Sequence, residues 1–149
     1  MIELDVTPGQ ALQALARIRD EYMPAFAYAL AKQMAFRLLE LMQLFTPVRT
    51  GNLRTSEDVD EEPGGFWVGT HSVSYAKYVA EGTPAHDIYP VNKKALAWKG
   101  GGHPVTHVHH PGTEARPFHL WALRQVEQES PTMILAMIAR YPQAFGGEA

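Results

Sequence analysis

Hydrophobic residues recur at three- and four-residue steps near the start of the chain, and this spacing predicts one face of an α-helix. The residues with this spacing are Leu12, Leu15, Ile18 and Tyr22. The preceding segment, Thr7-Pro8-Gly9-Gln10, places a hydroxyl at the N-cap, proline at the first helical position and glutamine at the third, as in a capping box. Pro24 interrupts the pattern, so we expect a kink or a restart of the helix there.

A second helix is predicted from Ala25 to Phe45, and it is apolar around more of its circumference than a single stripe. One face contains Phe26, Leu30, Met34, Leu38, Leu41 and Phe45, and beside it lie Phe36, Leu39 and Met42. A helix with so wide an apolar surface needs more than one packing partner. In a chain of this size we expect the second partner to be a neighbouring subunit, with Phe36 and Met42 as candidate interface residues.

The middle of the chain changes to patterns typical of strands and turns. The stretches from Ser56 to Glu62 and from Phe66 to His71 flank Pro63-Gly64-Gly65, which predicts a β-hairpin. The segment from Val48 to Thr55 is expected to be a loop with one short helical turn after Gly51, and the stretch from Ser74 to Glu81 predicts a short helix that Gly82 closes as its C-cap. Both glycines can take the positive φ that a tight turn needs.

The last part of the chain is predicted to return to helices after two further extended segments. These segments are Ala95–Trp98 and Val105–His109, separated by Gly100-Gly101-Gly102. A helix is expected from Pro117 to Gln128, and Ser130-Pro131 is expected to start a last helix that runs to about Arg140. The sequence therefore predicts an α+β fold with a long N-terminal helix, a small antiparallel sheet and C-terminal helices.

Length, composition and net charge exclude several classes of protein. The 149 residues, 46% of them hydrophobic, fit one domain over residues 1–149. The chain has no cysteine, which excludes disulfides and thiolate metal sites. Neither a signal peptide nor an apolar stretch of transmembrane length is visible, so we expect no membrane association. The net charge of −3 is not the basic footprint of a sequence-independent nucleic-acid binder.

Charge is nevertheless divided between two parts of the chain. From Glu57 to Asp87 there are seven acidic residues and one basic residue, whereas from Ile88 to Arg124 there are five basic residues and one acidic residue. The division fits either two solvated surfaces or two complementary faces that meet between subunits. Under the second interpretation, Lys93, Lys94 and Arg116 become candidate interface residues.

Large aromatic residues are the remaining candidates for an interface. Tyr75, Tyr78, Trp98 and Phe118 are of the size that anchors either a core or the centre of an interface. The sequence alone leaves both interpretations open for each of them.

The histidines are the one cluster that suggests metal chemistry. His107 and His109 would point the same way on a strand, His110 is adjacent, and His103 or His119 offers a third zinc ligand. A small His-dependent metal nuclease is therefore an alternative of a different class. No HExxH spacing and no asparagine after His110 accompany the cluster, so we expect no catalytic residues, no bound metal and no cofactor.

Three segments together resemble a known family. The first, Thr46 to Ser56, is similar to a pattern of proline, a short gap, Thr-Gly, a leucine flanked by polar or basic residues, and a closing serine. The second, Tyr75 to Thr83, matches Tyr-Ala-x-Tyr-Val-x-x-Gly-Thr. The third begins at His86 to Trp98, similar to His-x-Ile-x-Pro and a Lys-x-Leu segment ending in an aromatic residue. It closes with His109 to Phe118, similar to His-Pro-Gly-Thr-x-Ala-Arg-Pro-Phe.

This combination is typical of the gp-ten-like tail-component family of long-tailed bacteriophages and prophages, the neck or tail-completion proteins. The resemblance spans about Phe45 to Leu123, and it departs from the family at Arg49, where relatives often carry an acidic residue. It implies a structural virion protein of the head–tail junction, assembled in the host cytoplasm and not an enzyme. The expected partners are identical copies in a ring of six or twelve and other phage neck and tail proteins, with DNA only passing through the channel. A tail terminator ring that caps the tail tube is the alternative within the same biology.

Overall fold

The computed structural model describes residues 7–140. The first third of this range is a continuous helical rod, in which helix α1 spans Pro8–Arg17, a π-helical turn spans Ile18–Tyr22, and helix α2 spans Met23–Phe45. The helix is not broken at Pro24, as a restart would require; instead a π-helical turn precedes it, and Pro24 lies in the first turn of α2, where a missing N–H costs little.

Local hydrogen bonds fix the start of α1. The Thr7 amide donates to the Gln10 side-chain oxygen at 2.8 Å, and the Gln10 amide donates to the Thr7 hydroxyl at 3.3 Å. This is the predicted capping box. Both residues are exposed, so these bonds hold the helix end without packing from the rest of the chain.

A pair of long helices forms the centre of the fold. Helix α5 spans Phe118–Arg140 and packs against α2. The buried apolar core comes from these helices and from short segments between them: Leu41, Met42, Leu53, Ala80, Phe118, Ala122 and Val126. Among residues 7–140 no large side chain is completely enclosed, so this core is thin for the length of the chain.

An ion pair fastens α2 to α5. The Arg37 guanidinium donates to both carboxylate oxygens of Glu129, from Nε at 2.7 Å and from Nη2 at 2.9 Å. The Gln125 amide also donates to Glu129, at 2.9 Å. Hydrogen bonds from Arg37 and then from Gln125 lower the pKa of the Glu129 carboxyl to about 2.

The expected break at Ser130-Pro131 is wrong, because α5 continues through it to Arg140. A proline inside a helix leaves the carbonyl four residues earlier without its amide donor, which here is the carbonyl of Glu127. The Ser130 hydroxyl donates to that carbonyl at 2.9 Å and so replaces the missing bond. The Ser-Pro pair that resembles a helix start therefore lies inside a continuous helix, where the serine replaces the hydrogen bond that the proline removes.

The predicted hairpin is confirmed and packs on α2. Strand β1 spans Glu57–Glu62 and pairs antiparallel with strand β2, Gly65–Thr70, around a turn in which Gly64 has φ +93°. Near the tip of the hairpin, the Tyr28 hydroxyl of α2 donates to Glu61 at 2.8 Å, and the Tyr28 and Phe66 rings lie 5.4 Å apart.

Three short elements follow the expected order. The single helical turn expected after Gly51 is helix α3, Asn52–Thr55, and the short helix before Gly82 is α4, Ala76–Glu81. Both glycines have positive φ, at +86° and +73°, as the sequence predicts.

The second ribbon differs from the prediction. Strand β3, His86–Ile88, pairs antiparallel with strand β4, Val108–His110, although no strand was predicted at β3. The two segments expected to be extended around the glycines share only one bridge, between Leu96 and Val105. The strand at β3 is short and fully exposed, so it lacks the alternating burial that a sequence pattern could show.

Candidate functional site

An open groove of about 1140 Å³ lies where four segments distant in the sequence meet. One wall is the loop that leads from α2 into α3, residues 47–53. The rest of the lining comes from α4 and the residue before it, from the β3–β4 ribbon, and from Thr83 and residues 113–116. We call this the motif groove, because each of the three sequence segments that resemble the tail-component family contributes to its lining.

Backbone hydrogen bonds lock two of these segments together. The Thr83 amide donates to the Thr113 carbonyl at 3.1 Å, and the Thr113 amide donates back to the Thr83 carbonyl at 3.0 Å. The two threonine hydroxyls also lie 3.0 Å apart. The Arg116 amide donates to the Val79 carbonyl at 3.0 Å, which ties the segment before α5 to α4. The groove therefore has a fixed frame.

Two glycines permit this close approach. A Cβ at Gly82 would lie 2.5 Å from the Thr113 carbonyl oxygen, and a Cβ at Gly112 would collide with the carbonyl oxygen of Thr83. Both residues also have positive φ, +73° and +88°. The glycines of the second and third segments thus lie on either side of the paired threonines. Each must lack a side chain because the backbone of the other segment passes too close for a Cβ.

The lining of the motif groove is aromatic and aliphatic, with charge at a few places. Tyr75 is 43% exposed, Tyr78 60% and Val48 56%. Arg49 and Arg116 supply positive charge, and Glu114 is the acidic residue among the lining side chains. Such a surface, apolar but accessible, is suited to protein contact, because tyrosines combine large area with a hydroxyl that can find a partner.

The histidines divide between the two faces of the β3–β4 ribbon. His86 and His110 stack at 5.1 Å on the side that lines the motif groove. On the other side, His109 Nδ1 lies 2.9 Å from Asp87 and the His107 ring stacks on Tyr89 at 5.8 Å. Within residues 7–140, no three His, Asp or Glu side chains are grouped closely enough to hold a metal ion.

The structure separates the nine candidate interface residues into three groups. Tyr75, Tyr78 and Arg116 line the motif groove. Phe36 and Trp98, 52% and 55% exposed, lie on the surface elsewhere, as do Lys93 and Lys94 in the exposed loop after β3.

The prediction that Met42 and Phe118 are interface residues is wrong. They are only 4% and 3% exposed and belong to the buried core of the subunit itself, so neither offers a surface to a partner. Met42 belongs to the second apolar row of α2, and it is buried in a core that includes Phe118, Ala122 and Val126 of α5, whereas Phe36 of the same row is exposed. The helix α2 therefore finds its second packing partner within the same chain at this position, which sequence periodicity could not distinguish from a neighbouring subunit.

Some residues of the motif groove were missed by the sequence reasoning. Val48 and Ile88 line it, and both lie within the segments that carry the family resemblance. Their positions inside those segments are the signal that could have singled them out.

Comparison of the chain with protein-family models, with characterised proteins and with solved structures gives no significant match. The family resemblance read from the three segments accordingly stays a prediction. No helix within residues 7–140 has the length and hydrophobicity to cross a membrane.

Proposed function

We propose that this chain is a structural subunit of the head–tail junction of a long-tailed phage particle, a neck or tail-completion protein that works by assembling into a homo-oligomeric ring. The observation that carries the proposal is the convergence of three separate segments on one groove. Those segments, which resemble the tail-component family, are far apart in the sequence and meet around exposed tyrosines. A shared contact surface explains why the residues form one pattern.

The amount of exposed surface supports a protein that functions in contact with others. The chain exposes 11587 Å². A compact monomer of 16.6 kDa exposes roughly 7,600 Å². The chain therefore has more exposed surface than a compact monomer needs, and a standard interface takes about 800 Å² from each partner.

The charge division is compatible with two unlike faces. The acidic residues Asp58, Asp60 and Glu62 are exposed on β1, while Lys93 and Lys94 are exposed in the loop after β3. A ring of identical copies in head-to-tail contact needs two different faces on every subunit. Exposed ion pairs contribute only about 0–1 kcal/mol each, so they would orient neighbours while apolar groups hold them.

Complementation in the phage that encodes the chain tests the proposal. Deletion of the gene should leave filled heads and separate tails in electron micrographs, and a plasmid copy should restore joined particles. We expect Tyr78→Ser to lower the titre of infectious particles at least tenfold, because Tyr78 lines the motif groove.

Tyr89→Ser is the matched control. Tyr89 is 62% exposed against 60% for Tyr78, but it stacks on His107 on the opposite face of the ribbon. The titre of particles complemented with Tyr89→Ser should stay close to the wild-type titre. Complete, infectious particles from the deletion strain would overturn the proposed function, and equal titres for the two tyrosine variants would remove the motif groove from it.

A further inference from the structure

Helix α1 has an apolar stripe that the rest of the described range, residues 7–140, leaves exposed. Leu12 is 67% exposed and Leu15 62% exposed, and they stand three residues apart on one face. Within residues 7–140, the element in substantial contact with α1 is the π-helical turn that continues the same rod. The helix therefore projects from the body of the subunit as an arm.

An arm of this kind is stabilised when a partner covers its stripe. Most helical stability in proteins comes from burying an apolar face, and α1 lies at the end of the rod far from α5. The ten residues of α1 have a good capping box but bury little of their stripe. A surface that receives Leu12 and Leu15 would supply the missing stabilisation.

The same chain carries a surface of matching chemistry. A second groove of about 440 Å³, which we call the apolar groove, lies between α2, β2, α4 and the start of α5. Leu38, Leu120 and Leu123 are among its walls, and Leu120 and Leu123 remain 45% and 43% exposed. Small residues, Ala76 and Ala80 of α4, allow a helix to approach closely.

The arm cannot reach the apolar groove of its own subunit. Leu12 precedes Leu38 by 26 positions on one helical rod, which is about 39 Å at 1.5 Å per residue. Even a complete fold-back at the π turn would leave roughly 15 Å between them, by the same rise per residue. The groove that α1 can fill is therefore the groove of another copy.

We propose that α1 of one copy docks into the apolar groove of the next copy, with Leu12 and Leu15 against Leu120 and Leu123. This inference rests on the proposed assembly of identical copies and gives that assembly its contact. Each subunit offers an arm on one side and a groove on the other, which is a head-to-tail contact and closes into a ring when the rotation permits. The exposed surface of 11587 Å², against roughly 7,600 Å² for a compact monomer of this mass, leaves room for two standard faces of about 800 Å² each.

Disulfide trapping tests the contact directly, because the chain has no cysteine of its own. Purified Leu15→Cys protein is mixed with Leu123→Cys protein and oxidised under mild conditions. We expect a covalent heterodimer in at least tenfold greater yield than from Gln13→Cys with Leu123→Cys, since Gln13 lies away from the stripe on the same helix. Equal yields would overturn the inference, and so would a dominant homodimer of Leu15→Cys, which would mean that arms pair with arms.

A second measurement separates docking from folding. The double variant Leu12→Glu, Leu15→Glu should be monomeric by light scattering at concentrations where the wild type is oligomeric, with its melting temperature within about 2 °C of the wild-type subunit. Leu123→Glu should behave likewise. A mixture of the two should form heterodimers but nothing larger. The Leu123→Glu protein keeps an intact arm, the Leu12→Glu, Leu15→Glu protein keeps an intact groove, and no other docking pair remains.

The outcomes are distinguishable from those for the proposed function. An oligomer that survives Leu12→Glu, Leu15→Glu, or a wild type that stays monomeric throughout, overturns the arm-and-groove contact, whatever the complementation result. Particles that form without the gene overturn the virion role, whatever the disulfide result.

Discussion

Thr46 has a single hydroxyl hydrogen and two oxygen neighbours. Its hydroxyl donates to the Met42 carbonyl at 2.8 Å and also contacts Glu57 Oε1 at hydrogen-bond distance. If Thr46 gives its hydrogen to Met42, the second contact is a hydrogen bond only when the Glu57 carboxyl supplies a proton. Burial raises the pKa of this carboxyl, which is 4% exposed and whose Oε2 has no partner. Desolvation is the largest cause of this shift, so the neutral form of Glu57 persists to higher pH than in an exposed carboxyl, although the Thr46 hydrogen bond and the Arg54 charge lower the pKa in part.

Replacement of Glu57 by Gln should therefore stabilise the fold at pH 7, by about 1 kcal/mol, because the amide can donate to Thr46 without a buried charge. A carboxyl whose pKa is raised in the folded state stabilises the fold at pH values below its ordinary pKa. This stabilisation is lost as the pH rises through the pKa of the folded state. The gain from the variant should thus be absent in acid and present at neutral pH in urea unfolding. Glu62→Gln, at the exposed end of β1, is the control. A neutral or destabilising effect at pH 7 would contradict a raised pKa of Glu57 in the folded state.

Gly112 gives a second test at the scale of one residue. Gly112 and Gly100 have nearly the same positive φ, +88° and +90°, but only at Gly112 would a Cβ meet backbone atoms, those of Thr83 and Pro84. Gly100→Ala should cost about 1 kcal/mol from strain alone. Gly112→Ala should cost at least about 3 kcal/mol, because the paired threonines must also separate. Equal losses in chemical denaturation would mean that the frame of the motif groove is less rigid than its hydrogen bonds suggest.

At the scale of elements, the pairing of α2 with α5 depends on acidity. The Arg37 guanidinium lowers the pKa of Glu129 to about 2, so the bond stabilises fully above the ordinary value of 4.5 and weakens as the pH falls toward 2. Glu129→Gln should lower the melting temperature at pH 7, and the difference from the wild type should shrink between pH 4.5 and 2. Glu127→Gln, exposed on the same helix, should show neither effect. A difference that does not change with pH would indicate lost packing instead of a lost ion pair.

The elements also show what the sequence could and could not predict. The capping box, the hairpin around Pro63 to Gly65 and the turns at Gly51 and Gly82 depend on neighbouring residues, and the structure confirms them. The break at Ser130-Pro131 was wrong because one hydroxyl replaces the bond that proline removes. Strand β3 was missed because its pairing with β4 is made across nineteen intervening residues, 89–107, and leaves no pattern in the strand itself.

At the scale of the whole molecule, prediction from sequence met a different limit. The α+β fold class could be predicted, because helical period, turn residues and chain length are enough to count elements. Which apolar residues face the interior could not, since Met42 and Phe36 lie on the same helix and only the position of α5 decides that one is buried and the other exposed. The motif groove was visible in advance only as three separate segments.

The distance in sequence between α2 and α5 also sets the order of events when the chain is made. Arg37 and Glu129 are 92 residues apart. At a synthesis rate of about 5–20 residues per second, α2 exists for roughly 5–20 seconds before its main partner has been translated. During that time Met34, Leu41 and Met42 have no α5 to cover them. The N-terminal rod is therefore the part of the nascent chain that is open to chaperones, or to premature association with the rods of other nascent chains on the same messenger RNA.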